Sequence, residues 1–166
     1  GIVAWFYLLR MGEYATPDKQ GWRYDRVLTG MDVLPRVQGS EITSFAEADE
    51  AVIYIKGSKT DQYNAGCVRN HYRSGSDVCP VVVLAKLQRM YPERWTHESH
   101  LPLFRLKNGR MVDRTRLAKM IKEAGLVVGI DPEKLDVHSL RIGGATAMFA
   151  GSGEYKVVQR FGRWST

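Results

Sequence analysis

The chain has 166 residues, an apolar fraction of 44%, 25% charged residues and a formal net charge of +6, which suits one folded domain with a hydrophobic core. No apolar run is long enough to span a bilayer, and Cys67 and Cys79 are too few and too widely spaced for a disulfide framework or a metal-binding pair. The charge is uneven: residues 1–83 carry nine Lys and Arg against ten Asp and Glu, and residues 84–166 carry fifteen against eight. The second half therefore suits a polyanionic partner, although a basic half is also a common way to stay soluble. A reducing intracellular compartment is the default expectation for so few cysteines.

Ile2, Phe6, Leu9 and Glu13 fall at helical spacing, which predicts one buried helix from the start of the chain to about Ala15, before Thr16-Pro17. The opening nine residues lack the basic start and small-residue cleavage site of a signal peptide. The chain has no initiator Met and begins inside this helix, so it is expected to be part of something longer. Arg10 lies on the helix, with Glu13 three residues on and able to hold its guanidinium. Arg10 is either half of a surface ion pair or a charge kept for use in an apolar setting.

Pro17 to Arg26 reads as a loop, Arg26 to Leu34 as a strand interrupted at Gly30, and residues 35–50 as irregular. Ala51-Val52-Ile53-Tyr54-Ile55-Lys56 is the clearest strand. After a turn at residues 57–62, Gly66 to Arg73 alternates Cys67, Arg69, His71 and Arg73 against Val68, Asn70 and Tyr72, the pattern of a half-exposed return strand. The resulting hairpin carries Lys59 near its tip, where a lysine is ordinarily a solvated turn residue. Pro80 opens the next helix, with Val81, Leu84, Leu87 and Tyr91 inward and Pro92 at its end. His97-Glu98-Ser99-His100 resembles a zinc-protease helix only superficially, and Pro102 argues for a loop. No metal is expected there.

Asp113 or Thr115 caps a helix whose inner face is Leu117, Met120, Ile121 and Ala124, closed by Gly125. Arg114, Arg116, Lys119 and Lys122 form its outer face, either a solvated surface or a row of phosphate contacts. His138 and Arg141 then stand three residues apart, on one face of a helix. An imidazole exchanges protons near neutral pH and a guanidinium grips phosphate with a planar fork, so the pair suits phosphodiester chemistry. The plainer alternative is a helix capped by Asp136 or Ser139, with Arg141 solvated. Gly143-Gly144-Ala145 weakens this helix and suits close packing against another backbone. Gly151 and Gly153 close it. A last helix from about Glu154 buries Val157, Val158 and Phe161, with Lys156, Arg160 and Arg163 outward. Tyr155 is expected to cap or pack against that helix.

Leu9-Arg10 with Glu13, Ser58-Lys59-Thr60 in a hairpin, His138-Ser-Leu-Arg-Ile-Gly143, and Gly162-Arg163-Trp164 occur in this order in the tyrosine recombinases, the phage integrase family, and the resemblance covers nearly the whole chain. It implies that residues 1–166 are a catalytic domain, an α+β, mostly helical fold with a small antiparallel β-sheet. Residues 138–165 look more like the versions found in eukaryotic mobile elements; the expected location is intracellular, the nucleus for a eukaryotic source and the cytoplasm or nucleoid for a bacterial one.

The resemblance implies cleavage of double-stranded DNA by a Tyr hydroxyl, giving a 3′-phosphotyrosine and a free 5′-hydroxyl with no metal and no cofactor. By the same likeness Arg10 and Arg141 stabilise the phosphorane charge, and His138 serves as general base or phosphate donor. Lys59 protonates the leaving 5′-oxygen, Trp164 donates its indole N–H to a phosphate oxygen, and Glu13 braces the site. Arg163 joins Arg114, Arg116, Lys119 and Lys122 as a DNA contact. Other subunits, four on two duplexes, are the implied partners. The nucleophilic Tyr belongs after Trp164, and none of the eight tyrosines matches that position, so truncation before it is the expectation. The alternatives are a recombinase-derived DNA-binding domain that no longer cuts, and a metal-free phosphodiesterase using His138, Arg141 and water.

Overall fold

A computed structural model describes residues 1–17, 21–57 and 65–164. The run richest in β-branched residues becomes a central strand, β3 (Glu50–Ile55). Antiparallel partners flank it, β1 (Val33–Val37) on one side and β4 (Cys67–Tyr72) on the other, and β2 (Ser40–Glu41) extends the edge to give the order β2-β1-β3-β4. The register pairs Ile53 with both Val33 and Arg69. Ala51, Val52, Ile53 and Ile55 are buried while Tyr54 is exposed, so β3 is covered on both faces. The alternation read in β4 matches: Cys67, Arg69 and His71 are half-buried, and Val68, Asn70 and Tyr72 are exposed.

Among the described residues there are six α-helices: α1 (Ile2–Phe6), α2 (Met11–Tyr14), α3 (Pro80–Met90), which packs on β3 and β4, α4 (Arg114–Val127), α5 (Ser139–Ser152) and α6 (Tyr155–Gly162). The fold is α+β with a small antiparallel sheet. Tyr7, Leu9, Leu28, Phe45, Ile53, Ile55, Leu84 and Leu103 form the centre of the core, each large side chain contributing about 1.5–3 kcal/mol of transfer free energy. Polar ties close its edges. The Tyr7 hydroxyl donates to the Ala51 carbonyl at 2.6 Å, and the Trp95 indole N–H donates to the Val33 carbonyl at 2.9 Å.

Local chemistry sets the helix ends. Pro80 sits in the first turn of α3, where its missing N–H costs nothing. Asp113, not Thr115, caps α4 by accepting from the Arg116 N–H at 2.8 Å. Gly153, at φ +68°, ends α5 in the left-handed conformation. The Gly-Gly pair works as its composition suggests: a Cβ on Gly144 would run into the Trp5 carbonyl oxygen, and one on Gly143 into the Trp5 ring.

Several expectations change. The first helix is broken, because Leu8 takes a left-handed backbone at φ +48° and Arg10 is extended. Thr29-Gly30-Met31-Asp32 forms a short 3-10 turn whose Thr29 N–H and hydroxyl both donate to Asp32, so the strand starts only at Val33. Residues 35–50 hold the end of β1 and all of β2. α4 continues past Gly125 to Val127; Leu117 packs against the core as expected, but Met120 and Ala124 are exposed, and this face lines an open apolar groove with Trp5, Leu135 and Leu140. In α6, Val158 is buried and Phe161 half-buried, but Val157 and Tyr155 are exposed, so Tyr155 does not pack.

Candidate active site

The break between α1 and α2 carries chemistry. Turning left-handed at Leu8 swings the carbonyl out of helical register, and that oxygen accepts from the Arg141 guanidinium Nη1 and, at 3.3 Å, from Arg163 Nη2. Arg10 follows in an extended conformation and caps α2. Glu13 Oε2 accepts from the Arg10 backbone N–H at 2.8 Å. The Arg10 guanidinium is not held by Glu13. Its Nη2 donates to the Arg163 carbonyl at 3.0 Å, its one hydrogen bond among the described residues.

From the other end of the chain, Arg141 enters on the first turn of α5. It is 7% exposed and donates to the Leu8 and Gly162 carbonyls. The Trp164 ring stacks 4.5 Å from its guanidinium carbon, a cation–π contact. Arg163 is the largest departure from expectation. Helical spacing points it outward, but it caps α6 in the left-handed conformation and turns inward. Its guanidinium forms a bidentate pair with Glu13 at 2.5 and 3.0 Å, and neither side chain is more than 12% exposed.

Three guanidinium groups thus gather near one carboxylate, which among them bonds only the Arg163 guanidinium. Burial, then the nearby Arg163 and Arg10 charges, push the Arg141 pKa down to about 10 against a small opposing pull from Glu13. Arg10 is lowered for the same reasons, burial first and Arg163 next. A half-buried group of like charges with an unused guanidinium edge suits an anion that brings charge from outside.

β4 forms the back wall. Arg69 donates to the Phe161 carbonyl at 3.0 Å and the Arg160 carbonyl at 2.6 Å, closing the end of α6. His71 Nε2 hydrogen-bonds the Phe6 carbonyl at 2.7 Å, with its ring edge-on to Phe6, Tyr7 and Phe161. Neither residue belongs to the motifs read from sequence, but the period-two alternation of β4 places both on its covered face.

Of the residues named from sequence, the fold brings Arg10, Arg141 and Trp164 together over Glu13. His138 caps α5 one turn before Arg141 and is exposed; its imidazole makes no hydrogen bond or ion pair among the described residues. Lys59 lies outside the described residues. The nearby Lys56 is engaged elsewhere, 2.9 Å from Asp32, bonded to the Val27 carbonyl at 3.2 Å and stacked on Tyr24. Arg114, Arg116 and Lys119 lie exposed along α4, and Lys122 is half-buried there. Arg114 pairs with Asp136 at 3.2 Å, Lys119 with Glu123 at 3.8 Å and Lys122 with Glu133 at 3.8 Å.

The fold is similar to part of a solved site-specific recombinase. That structure is the XerH site-specific recombinase bound to its difH substrate in a pre-cleavage complex, one of those it resembles, with a TM-score of 0.62 at 16% identity over 99% of this chain. The chain spans 38% of the length of that protein. No protein-family model and no curated protein matches the sequence.

Proposed function

We propose that this chain is the catalytic domain of a tyrosine-type DNA recombinase, acting in site-specific recombination or integration, as a mobile element would require. The observation that carries the reading is the convergence of Arg10, Arg141 and Trp164, from opposite ends of the chain, on one patch with more guanidinium than carboxylate. A scissile phosphate supplies the missing negative charge. As the phosphorane forms, charge grows on its non-bridging oxygens, and donors already fixed by the fold stabilise it without reorganising.

In this reading a Tyr following Trp164 in the full-length protein attacks phosphorus. The phosphorus–O5′ bond breaks, leaving a 3′-phosphotyrosine, and the same groups run the reverse step on a new 5′-hydroxyl. His138, solvent-facing at the start of α5, takes the phenolic proton or donates to the phosphate. Lys59 gives a proton to the 5′-oxygen, and the Trp164 indole donates to a phosphate oxygen. Arg114, Arg116, Lys119 and Lys122 hold flanking phosphates. Further copies of the protein, two on each duplex, complete the assembly inside the cell.

The test is covalent trapping. A polypeptide continuing past Thr166 to its tyrosine, mixed with a nicked suicide duplex, is expected to give a denaturant-resistant protein–DNA adduct. Residues 1–166 alone are expected to bind the duplex and form none. DNA binding without an adduct in the longer polypeptide would make this a recombinase-derived binding domain, and hydrolysed DNA without an adduct would make it a phosphodiesterase.

A further inference from the structure

The geometry points to Arg163 as a positioning residue that locks Arg10 and Trp164 in their working places, not as a DNA contact. This rests on the recombinase reading and deepens it by naming what holds the phosphate-binding groups. Three contacts close a ring: Glu13 accepts from the Arg10 backbone N–H, Glu13 takes both Nη atoms of Arg163, and the Arg163 carbonyl accepts from the Arg10 guanidinium. Breaking any one loosens the other two. The ring joins residues about 150 positions apart and sits next to Trp164, whose place over Arg141 follows from where Arg163 ends α6.

Backbone conformation supports the same role. Among the described residues three non-glycine positions have positive φ, and two of them, Leu8 and Arg163, belong to this cluster. An L-residue takes that conformation at a cost glycine avoids, so tertiary contacts must hold it there. At Arg163 the holding contact is the buried pair with Glu13. The same φ aims the Arg163 carbonyl at Arg10. Both its Nη atoms are committed, and its Nε is buried without a partner. Its end-on face is taken by Glu13 and the side chain is only 12% exposed, so a phosphate would have to reach the buried Nε side or displace the carboxylate.

Removing a direct phosphate contact from a crowded cationic cluster relieves repulsion and leaves the free protein as stable or more so, whereas removing a positioning residue strips Glu13 of its partner. The expected result for Arg163→Met without DNA is a fall in melting temperature of about 5 °C or more. Glu13→Gln should fall similarly, and the double variant by clearly less than the sum. Arg163→Lys, which keeps one ion-pair bond, should recover part of the loss and serves as the working variant if Arg163→Met fails to fold. Duplex affinity should drop about tenfold in Arg163→Met and partly return in Arg163→Lys.

A melting temperature unchanged or raised in Arg163→Met, with a salt dependence of binding shallower by about one phosphate, would make Arg163 a direct contact and overturn the inference. If Arg10→Ala weakens binding and Arg163→Met does not, the inference fails alone. If neither substitution weakens binding, the recombinase reading fails with it.

Discussion

Two basic regions of this protein differ in everything but sign. Along α4, Arg114, Lys119 and Lys122 pair with Asp136, Glu123 and Glu133 at 3.2–3.8 Å across side chains that are mostly solvated. Such pairs contribute about 0–1 kcal/mol each and yield to salt. Around Leu8, Arg10, Arg141 and Arg163 are drawn inward, bonded to backbone carbonyls and to Glu13, and crowded until the Arg141 pKa falls to about 10. Exposed charges attract a polyanion from a distance and hold it loosely. Charges fixed by the fold before the ligand arrives stabilise a particular distribution of negative charge, which is what a transition state requires.

The sharpest way to break this contrast is Arg141→Met. Loss of one donor fixed against developing charge lowers the rate by roughly 10²–10³, so adduct formation in the polypeptide that includes the nucleophile should slow by that factor. Stability should change little, because two effects of similar size oppose each other. The substitution removes charge-assisted bonds to the Leu8 and Gly162 carbonyls, and it also removes the repulsion and desolvation that lower the Arg141 pKa. Adduct kinetics and a thermal melt separate the two; an unchanged rate would take Arg141 out of the chemistry.

The α4 face should respond in the opposite proportion. Lys119→Ala with Lys122→Ala removes only ion pairs at 3.8 Å, so the melt should shift by no more than about 0.5 kcal/mol. Duplex affinity should fall a few-fold, and the plot of log affinity against log salt should become shallower by about one unit per phosphate lost. An unchanged slope would remove α4 from the DNA interface.

The difference also explains what could be read from the sequence. Strand β3, the β4 alternation, the α4 helix and the close packing at Gly143 and Gly144 follow from local pattern, and the fold respects them. Arg10, Arg141 and Trp164 could be named because motif spacing survives in the chain, and the fold does bring them together. The break at Leu8 could not be read. Ile2 to Glu13 has helical periodicity, and what stabilises the left-handed Leu8 is its carbonyl meeting Arg141 and Arg163, more than 130 residues away. Arg163 was misplaced for a related reason: helical spacing carried past Gly162 sends it outward, whereas its left-handed cap turns it in toward Glu13. Tertiary bonds override local preference at both positions, and both lie in the site.

Mild acid offers a gentler way to tell the two regions apart, because a histidine stands behind the arginine cluster while α4 contains none. Burial between Phe6, Tyr7 and Phe161 lowers the His71 pKa below its ordinary 6.5, against a smaller opposing effect from its bond to the Phe6 carbonyl. Between that lowered value and 6.5 the unfolded chain binds more protons than the folded one, so this contribution to stability is complete above about 6.5 and is lost as pH falls through the window. Melting temperature should therefore decline modestly from pH 7 to pH 5. His71→Gln keeps a donor for the Phe6 carbonyl and does not titrate, so its decline should be flatter, while Lys119→Ala should follow the parent. An equally steep decline in His71→Gln would assign the acid sensitivity to another group and leave the back wall of the site indifferent to pH.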